Sequence, residues 1–502
     1  MASFVTTPWG VALLPIPDPV RLPLRGSSGS RLSPIVLALS ILALSACSRG
    51  SPPAPGDITR GAWAGAGGPD TFLFDLKGSP PDSLTGTVHV MRDGKMDSEL
   101  TITRASYHAP DLEMYIESTD ATYRGRVDLA KERVSGGLSF GGRPGTTMDL
   151  HWVDPAGLPG FAALPGNQPY TYRKPTAGAD GWQTATPEEV GLSRSAVDSL
   201  VSAVARGEAG LLHSLLIVRG GKLVVDEYFH GYTSGDLHRM ASATKSVSSL
   251  LVGAAIDRGS IPGVETPLAQ LLGQPASALG PGWEAETLSD LLTMSMGLDW
   301  SAGEAESVHG TGPEFFRKVL ARKVAVTPGT KWDYVSANVD LLAGVIFNAT
   351  GKHAEAFAQE VLFAPLGITS SDWDYGKEAG YNLMDGSLQL RPRDMAKVGA
   401  LVVAGGRWDG HQVISQRWIR ESTTSHMATG QPLGGYGYLW WTGEMPSGNG
   451  TEPMVVANGW GSQFIIVFPH MDMVVVTTGG NDNNGRHLDI GPVLQRTLLA
   501  GM

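Results

Sequence analysis

Met240-Ala241-Ser242-Ala243-Thr244-Lys245-Ser246-Val247 opens a strongly helical run and carries an S-x-x-K pair, Ser242 and Lys245. Beyond it, apolar or small residues recur at Val247, Leu250, Leu251, Ala254 and Ala255, the three-and-four spacing that predicts one buried helix face. Arg258-Gly259 and then Pro262 supply a basic last turn, a C-cap glycine and a breaker. Ser242 is thereby placed in the first turn. A residue three positions on shares its face, so the Lys245 amine reaches the Ser242 hydroxyl. The free N–H groups and positive dipole end of a helix start favour a developing oxyanion. Burial of an amine favours the neutral form that can take a proton. These are the parts of an activated serine nucleophile. The plainer alternative makes Ser242 a helix-start polar residue and Lys245 a solvated charge.

The chain has 502 residues, enough for more than one domain and a large core. Hydrophobic content of 42% against 17% charged residues is a globular composition. A net charge of -11 argues against a nucleic-acid-binding surface. One cysteine excludes an intrachain disulfide, and the 12 histidines form no cluster at metal-ligand spacing, so neither a metal nor another cofactor is expected.

That cysteine has its own reading. Arg21, Arg25 and Arg31 precede an apolar run over 35–44, about the length of a signal core and too short to span a bilayer. It leads into Leu44-Ser45-Ala46-Cys47, which resembles a bacterial lipobox. The resemblance implies removal of residues 1–46 and lipidation of Cys47. Ser48 in place of aspartate then implies the outer membrane, facing the periplasm. Residues 47–56, S-R-G-S-P-P-A-P-G after the cysteine, are expected to be a flexible tether.

Residues 57–170 read as short strands at 71–76, 84–91, 99–105, 112–117, 121–128, 133–140 and 146–152, separated by turns such as Gly78-Ser79-Pro80, Asp93-Gly94 and Gly141-Gly142. Strands without helices predict a small antiparallel β domain, a barrel or sandwich, with no catalytic cluster. A Pro/Gly-rich joint over 155–181 follows, then a helix with Leu192, Ala196, Leu200 and Val204 on one face, then a hairpin with strands at 214–218 and 223–229. Helical segments are expected at 288–292, 339–347, 354–362 and 393–403, strands at 454–457, 463–468 and 473–478, and a closing helix over 490–499. The fold class this predicts for residues 180–502 is α+β: an antiparallel sheet covered by helices, with an inserted helical subdomain.

Two further elements bear on chemistry. Tyr334, in Lys331-Trp332-Asp333-Tyr334-Val335-Ser336-Ala337-Asn338, can shuttle a proton to and from a serine if a lysine lies beside it. Asn458-Gly459-Trp460-Gly461-Ser462-Gln463 leads into an apolar strand whose glycines would let a substrate lie against the strand edge beside a backbone N–H donor. In order, S-x-x-K, Y-x-S/N and a Gly-rich late strand resemble the class C β-lactamase and penicillin-binding-protein superfamily over about residues 180–500. The form Tyr334-Val335-Ser336-Ala337-Asn338 is most similar to the branch of 6-aminohexanoate-dimer hydrolases and related esterases.

The resemblance implies a β-lactamase-like serine hydrolase. Ser242 would be acylated, with Lys245 as proton acceptor and Tyr334 as partner acid/base. Ser336 and Asn338 would compete for the superfamily's asparagine role. The oxyanion hole would combine the Ser242 N–H with one from the strand at Trp460, Gly461 or Ser462. Two departures bear on substrate: the K-T-G lysine is absent from Gly459-Trp460-Gly461, and Ser336 stands where class C enzymes carry asparagine. Arg391 or Arg393 could supply the missing charge. The alternatives are a penicillin-binding or D-amino-peptide hydrolase of the envelope, and a non-catalytic envelope-binding lipoprotein. A nucleophile elbow, Gly137-Leu138-Ser139-Phe140-Gly141, falls in the strand region with no helix after it and reads as a strand and its turn. Oligomeric state is left open.

Overall fold

The computed structural model describes residues 57–164, 169–301, 304, 310, 313–373, 381–481 and 490–502. The expected signal segment, Cys47 and the tether lie outside the described residues, as does most of the 301–312 loop.

Nine antiparallel strands make up the first region, several of them alternating apolar and polar residues. They are β1 (Ala62–Gly67), β2 (Asp70–Ser79), β3 (Ser83–Arg92), β4 (Lys95–His108), β5 (Asp111–Ile116), β6 (Ala121–Asp128), β7 (Arg133–Phe140), β8 (Arg143–Thr147) and β9 (Leu150–Val153). Strands β1 to β7 pair as a meander, and β9 pairs with both β7 and β1, closing a barrel. Closure removes the free edges that a seven-strand open sheet would expose. Trp63, Phe74, Val88, Ile102, Met114 and Tyr123 fill the inside, each fully buried, so the barrel holds a packed core. The strand expected at 146–152 is two strands, β8 and β9, broken at Met148-Asp149. β1 escaped sequence reading because A-W-A-G-A-G does not alternate. Its small residues serve packing: a Cβ on Gly65 would lie 2.5 Å from Leu150 Cδ2 of β9.

The second region is built on one antiparallel sheet. Its six longer strands are β10 (Leu212–Arg219), β11 (Lys222–Tyr228), β12 (Trp441–Ser447), β13 (Gly450–Gly459), β14 (Gln463–Phe468) and β15 (Met473–Gly479), in the order β11-β10-β15-β14-β13-β12, and the two-residue strands Gly435–Tyr436 and Met427–Ala428 extend the sheet beyond β12. Every residue of β14 and β15 is buried, so helices must cover both faces. Five helices matter here: α1 (Arg194–Ala205), α2 (Thr244–Asp257), α3 (Leu341–Thr350), α4 (Pro392–Val403) and α5 (Ile490–Thr497). Val197 and Leu200 of α1 and Val493 and Leu494 of α5 pack in one core with Leu215, Phe464 and Val475. On the other face α4 comes close to the strands because position 399 is glycine, where a Cβ would lie 2.4 Å from Val474.

Helix α2 departs from the expected single buried face: Thr244 through Ala255 are buried on every side. Ser248, Ser249, Gly253, Ala254 and Ala255 are small enough for neighbours to close around it, and a Cβ on Gly253 would meet the Trp418 ring at 2.1 Å. Two buried hydroxyls find carbonyls, Ser246 donating to Leu439 and Ser248 to Met384. At its end Gly259 takes φ +72, and the N–H groups of Gly259 and Ser260 donate to Ile256 and Ala255, a paired closure of orphan carbonyls.

The barrel touches the second region through its β3–β4 hairpin. Met91 and Met96 pack with Leu211, and Lys95 pairs with Asp236 at 2.5 Å. Asp97 accepts from the Tyr232 hydroxyl at 3.1 Å. Tyr232 stacks on His213 with ring centres 4.1 Å apart, and His213 Nδ1 and His238 Nε2 share a hydrogen bond of 2.7 Å. His238 stands four residues before Ser242.

Candidate active site

The turn that carries Ser242 is pinned before α2 begins. His238–Arg239 pairs with the short strand Leu388–Leu390, and the Met240 N–H donates to the Leu388 carbonyl at 2.9 Å. A 3-10 turn, Ala241–Ala243, leads into α2. Ala241 takes φ +45, a left-handed conformation that costs a residue with a Cβ about 1–2 kcal/mol and persists only where packing enforces it. Ser242 is left half-buried between two buried alanines.

Lys245 is 1% exposed, which overturns the solvated-charge alternative. Its Nζ donates to Ser242 Oγ at 3.0 Å and to the Asp385 carbonyl at 2.7 Å, and lies 3.8 Å from Asp385 Oδ2. Asp340 stands behind this pair, fully buried, and its Oδ1 accepts from the N–H groups of Met384 (2.9 Å) and Asp385 (3.2 Å). Burial, and then the neighbouring Asp385, hold the Asp340 carboxyl well above the usual range. Sequence reasoning passed over both aspartates. The one available signal was a carboxylate inside the apolar run after Tyr334.

Tyr334 is half-buried in an aromatic wall. It stacks on Trp441 (5.8 Å between centres, 26°), with Trp332 and Tyr436 at its sides. Its ring centre lies 5.2 Å from Lys245 Nζ. Among the described residues its phenol makes no hydrogen bond to Ser242 or Lys245. The two candidates for the asparagine role differ in setting. Asn338 is buried and its Oδ1 accepts from the Trp300 indole at 3.0 Å, whereas Ser336 is half-buried.

On the strand side the glycine reading needs correction. A Cβ on Gly459 would lie 2.2 Å from the Met240 carbonyl oxygen and 3.1 Å from the Ala243 nitrogen. Gly459 therefore lets β13 abut the nucleophile turn rather than a substrate. Trp460 is 45% exposed, the next turn has Gly461 at φ +80 and Ser462 at φ +69, and Ser462 is buried. The Ser462 hydroxyl accepts from Asn481 Nδ2 at 2.7 Å and its carbonyl from Thr477 Oγ1 at 2.9 Å, so both serve a structural network. Arg393 is committed to Asp226 and Asp180, and Arg391 to Asp394. Neither arginine is spare. Ser139 of the elbow-like match lies in β7 and donates to the Thr122 carbonyl. Among the described residues no three His, Cys, Asp or Glu side chains are grouped to hold a metal, and no helix is long and apolar enough to cross a membrane.

Residues 200–490 match the family model described as Beta-lactamase. The 6-aminohexanoate-dimer hydrolase of Paenarthrobacter ureafaciens is 26% identical over 329 residues, covering 60% of this chain and 81% of that protein. Among solved structures, a Bacteroides dorei protein bearing the beta-lactamase name superposes with a TM-score of 0.51 at 19% identity, over 61% of this chain and 98% of that one. A Bacillus anthracis protein named as a 6-aminohexanoate-dimer hydrolase gives 0.49 at 17% identity, over 59% and 80% of the two chains. The sheet and its helices have the fold of the Bacteroides dorei protein, as the resemblance in sequence implied. A family match that spans more than half of the chain, across the elements carrying Ser242, Lys245 and Tyr334, makes this protein a member of the beta-lactamase family of serine hydrolases.

Proposed function

We propose that this protein hydrolyses neutral esters or amides through an acyl-enzyme on Ser242. The observation that carries the reading is the buried Lys245 nitrogen 3.0 Å from the Ser242 oxygen at the start of a helix. The Ser242 oxygen attacks the substrate carbonyl carbon while its proton passes to Lys245 Nζ. The tetrahedral oxyanion is met by the Ser242 N–H and one N–H of the Trp460-Gly461-Ser462 turn. Collapse breaks the ester or amide bond, and the leaving alcohol or amine takes a proton from Lys245, relayed by Tyr334 once its phenol swings into reach. Water then attacks the acyl carbon and gives a proton to Lys245; collapse breaks the Ser242 Oγ–acyl bond, releases the carboxylic acid, and Ser242 Oγ takes the proton back from Lys245. Ser336 has the freer position for a hydrogen bond to substrate, with Asn338 held by Trp300.

Exposed Trp460 offers an apolar wall, and no lysine follows it to hold a carboxylate. A missing charge-assisted contact costs about 1.5–3 kcal/mol, roughly 10- to 100-fold in kcat/KM, so β-lactams are poor substrates. Amides are the second substrate class, favoured by the relative named for a 6-aminohexanoate dimer. The test compares kcat/KM for a short-chain p-nitrophenyl ester and for nitrocefin on wild type, Ser242→Ala and Lys245→Ala. Ester turnover should exceed nitrocefin turnover, and both variants should lose it. Nitrocefin turnover at or above the ester rate would defeat the selectivity, and full activity in Ser242→Ala would defeat the mechanism.

The enzyme is further proposed to act at the outer membrane, anchored through lipidated Cys47 and facing the periplasm. Charged flank, apolar run and Leu44-Ser45-Ala46-Cys47 support this. Cys47→Ala should release the protein from the membrane fraction; retention there would sink the proposal.

A further inference from the structure

We infer that Asp340 is a positioning residue for the reaction: by gripping the Met384–Asp385 backbone it aims the Lys245 amine at Ser242. The inference rests on the Ser–Lys reading above. Asp340 follows the short helix Ser336–Val339 and stands six residues after Tyr334, at the start of α3. It belongs to the same segment as the aromatic wall, yet its side chain reaches across to a different one. Oδ1 accepts two successive backbone N–H groups, from Met384 and Asp385. The Met384 carbonyl, in turn, accepts from Ser248 of α2 at 2.8 Å. The two-residue turn is thus held from both sides, by Asp340 and by the nucleophile helix itself.

What the turn presents is the Asp385 carbonyl, 2.7 Å from Lys245 Nζ and nearer to it than Ser242 Oγ at 3.0 Å. With one direction of the tetrahedral nitrogen taken by this carbonyl, the direction toward Ser242 is determined. The titratable groups facing Asp340 from other elements are the Asp385 carboxylate and the Lys245 amine, and the Gly310 backbone N–H faces it as well. The Tyr334 ring centre lies 5.2 Å from that amine. Burial disfavours the charged form of this carboxyl, its Oδ1 acts as an acceptor, and Asp385 is the acidic group within ion-pair distance of Lys245. The two N–H groups that Asp340 satisfies lie in a buried place where water does not replace it, so removing the acceptor frees the turn.

The experiment uses the full chain with Asp340→Ala and Asp340→Asn, assayed on a p-nitrophenyl ester beside Ser242→Ala, with activity counted per folded molecule by circular dichroism. Loss of aim at the amine should lower kcat by about 10- to 100-fold in Asp340→Ala while KM moves less than about twofold. Asparagine keeps the accepting oxygen, so Asp340→Asn should recover most of that kcat, with a pH–rate profile that superposes on wild type. A kcat in Asp340→Ala within about threefold of wild type would overturn the inference, since a misplaced proton acceptor costs more. If Asp340→Ala fails to fold, the profile of Asp340→Asn decides: superposition supports an uncharged acceptor, and a displaced acid limb shows a carboxylate acting by charge and overturns it. Ester turnover surviving in Ser242→Ala is a separate result, which removes the Ser–Lys reading rather than the role of Asp340.

Discussion

Left-handed backbone sits in different places in the barrel and in the hydrolase region. In the barrel, the non-glycine residues with positive φ are Asp93, Asp120 and Glu132, all at turns between strands. Aspartate tolerates that conformation, and a tip facing water needs no packing to hold it. In the hydrolase region Asp409 and Asp472 adopt it at exposed turns and His230 does so half-buried, but four further residues, Ala241, Met294, Leu439 and Ser462, adopt it while buried. Each of these four is tied to the candidate site: Ala241 precedes Ser242, and the Met294 carbonyl accepts from the N–H of Asp333 beside Tyr334. The Leu439 carbonyl accepts from Ser246 of α2, and Ser462 follows Gly461. At about 1–2 kcal/mol for each residue, this strain persists because closely packed neighbours leave no alternative. A barrel can be built from relaxed turns; a half-buried serine facing a fully buried lysine cannot.

The contrast makes predictions of decreasing size. Gly459→Ala should have the largest effect, because its Cβ cannot share space with the Met240 carbonyl. Displacement of β13 from the nucleophile turn is expected to cost about 100-fold in kcat/KM for an ester. Unchanged kinetics, with unchanged circular dichroism, would break the claim that the two backbones are pressed together for function.

A second effect lies at the junction. Burial holds both His213 and His238 below the ordinary imidazole range, His238 down to about 4, with the neighbouring His238 and His230 adding to the fall of His213. Asp97, Asp236 and Lys95 surround the group. The folded state therefore binds fewer protons than the unfolded chain, so stability present above about pH 6.5 is lost as pH falls toward 4. Protonating both rings also destroys their shared hydrogen bond. Thermal melts from pH 7 to 4.5 should show a falling midpoint, with faster hydrogen exchange in the β3–β4 hairpin than in α2, and His213→Phe should flatten the slope. An interface indifferent to acid would contradict this.

The smallest effect belongs to Gly142→Ala in the β7–β8 turn. There φ is +70 and a Cβ meets nothing within 4 Å, so the cost is backbone strain alone, about 1 kcal/mol. A lowered melting temperature with wild-type ester turnover is expected. Loss of turnover would show that the barrel tip takes part in function, and would blur the contrast.

Short-range pattern made much of this legible. Strand-length runs between turn formers located β2 to β7, continuous apolar runs located β14 and β15, and the S-x-x-K spacing placed Ser242 and Lys245 on one helix face. Where local pattern is weak the reading was silent. β12, W-T-G-E-M-P-S, carries glycine and proline and is a strand because β13 pairs with it along its length.

The sequence by itself determined that Ser242 and Lys245 share one helix face, most of the strand content of the first region and the superfamily to which the second belongs. Only the tertiary structure decided what surrounds Lys245. Asp385 lies 140 residues from it in sequence, and Asp340 reaches it through that turn. The fit of Gly459 against Met240 and the path from Asp97 through Tyr232 and His213 to His238 are likewise contacts between distant segments. Periodicity and propensity record how a residue sits on its own helix or strand. They carry no record of which carbonyl, carboxyl or ring will face it once separate elements pack, and the chemistry of a buried amine depends on those neighbours.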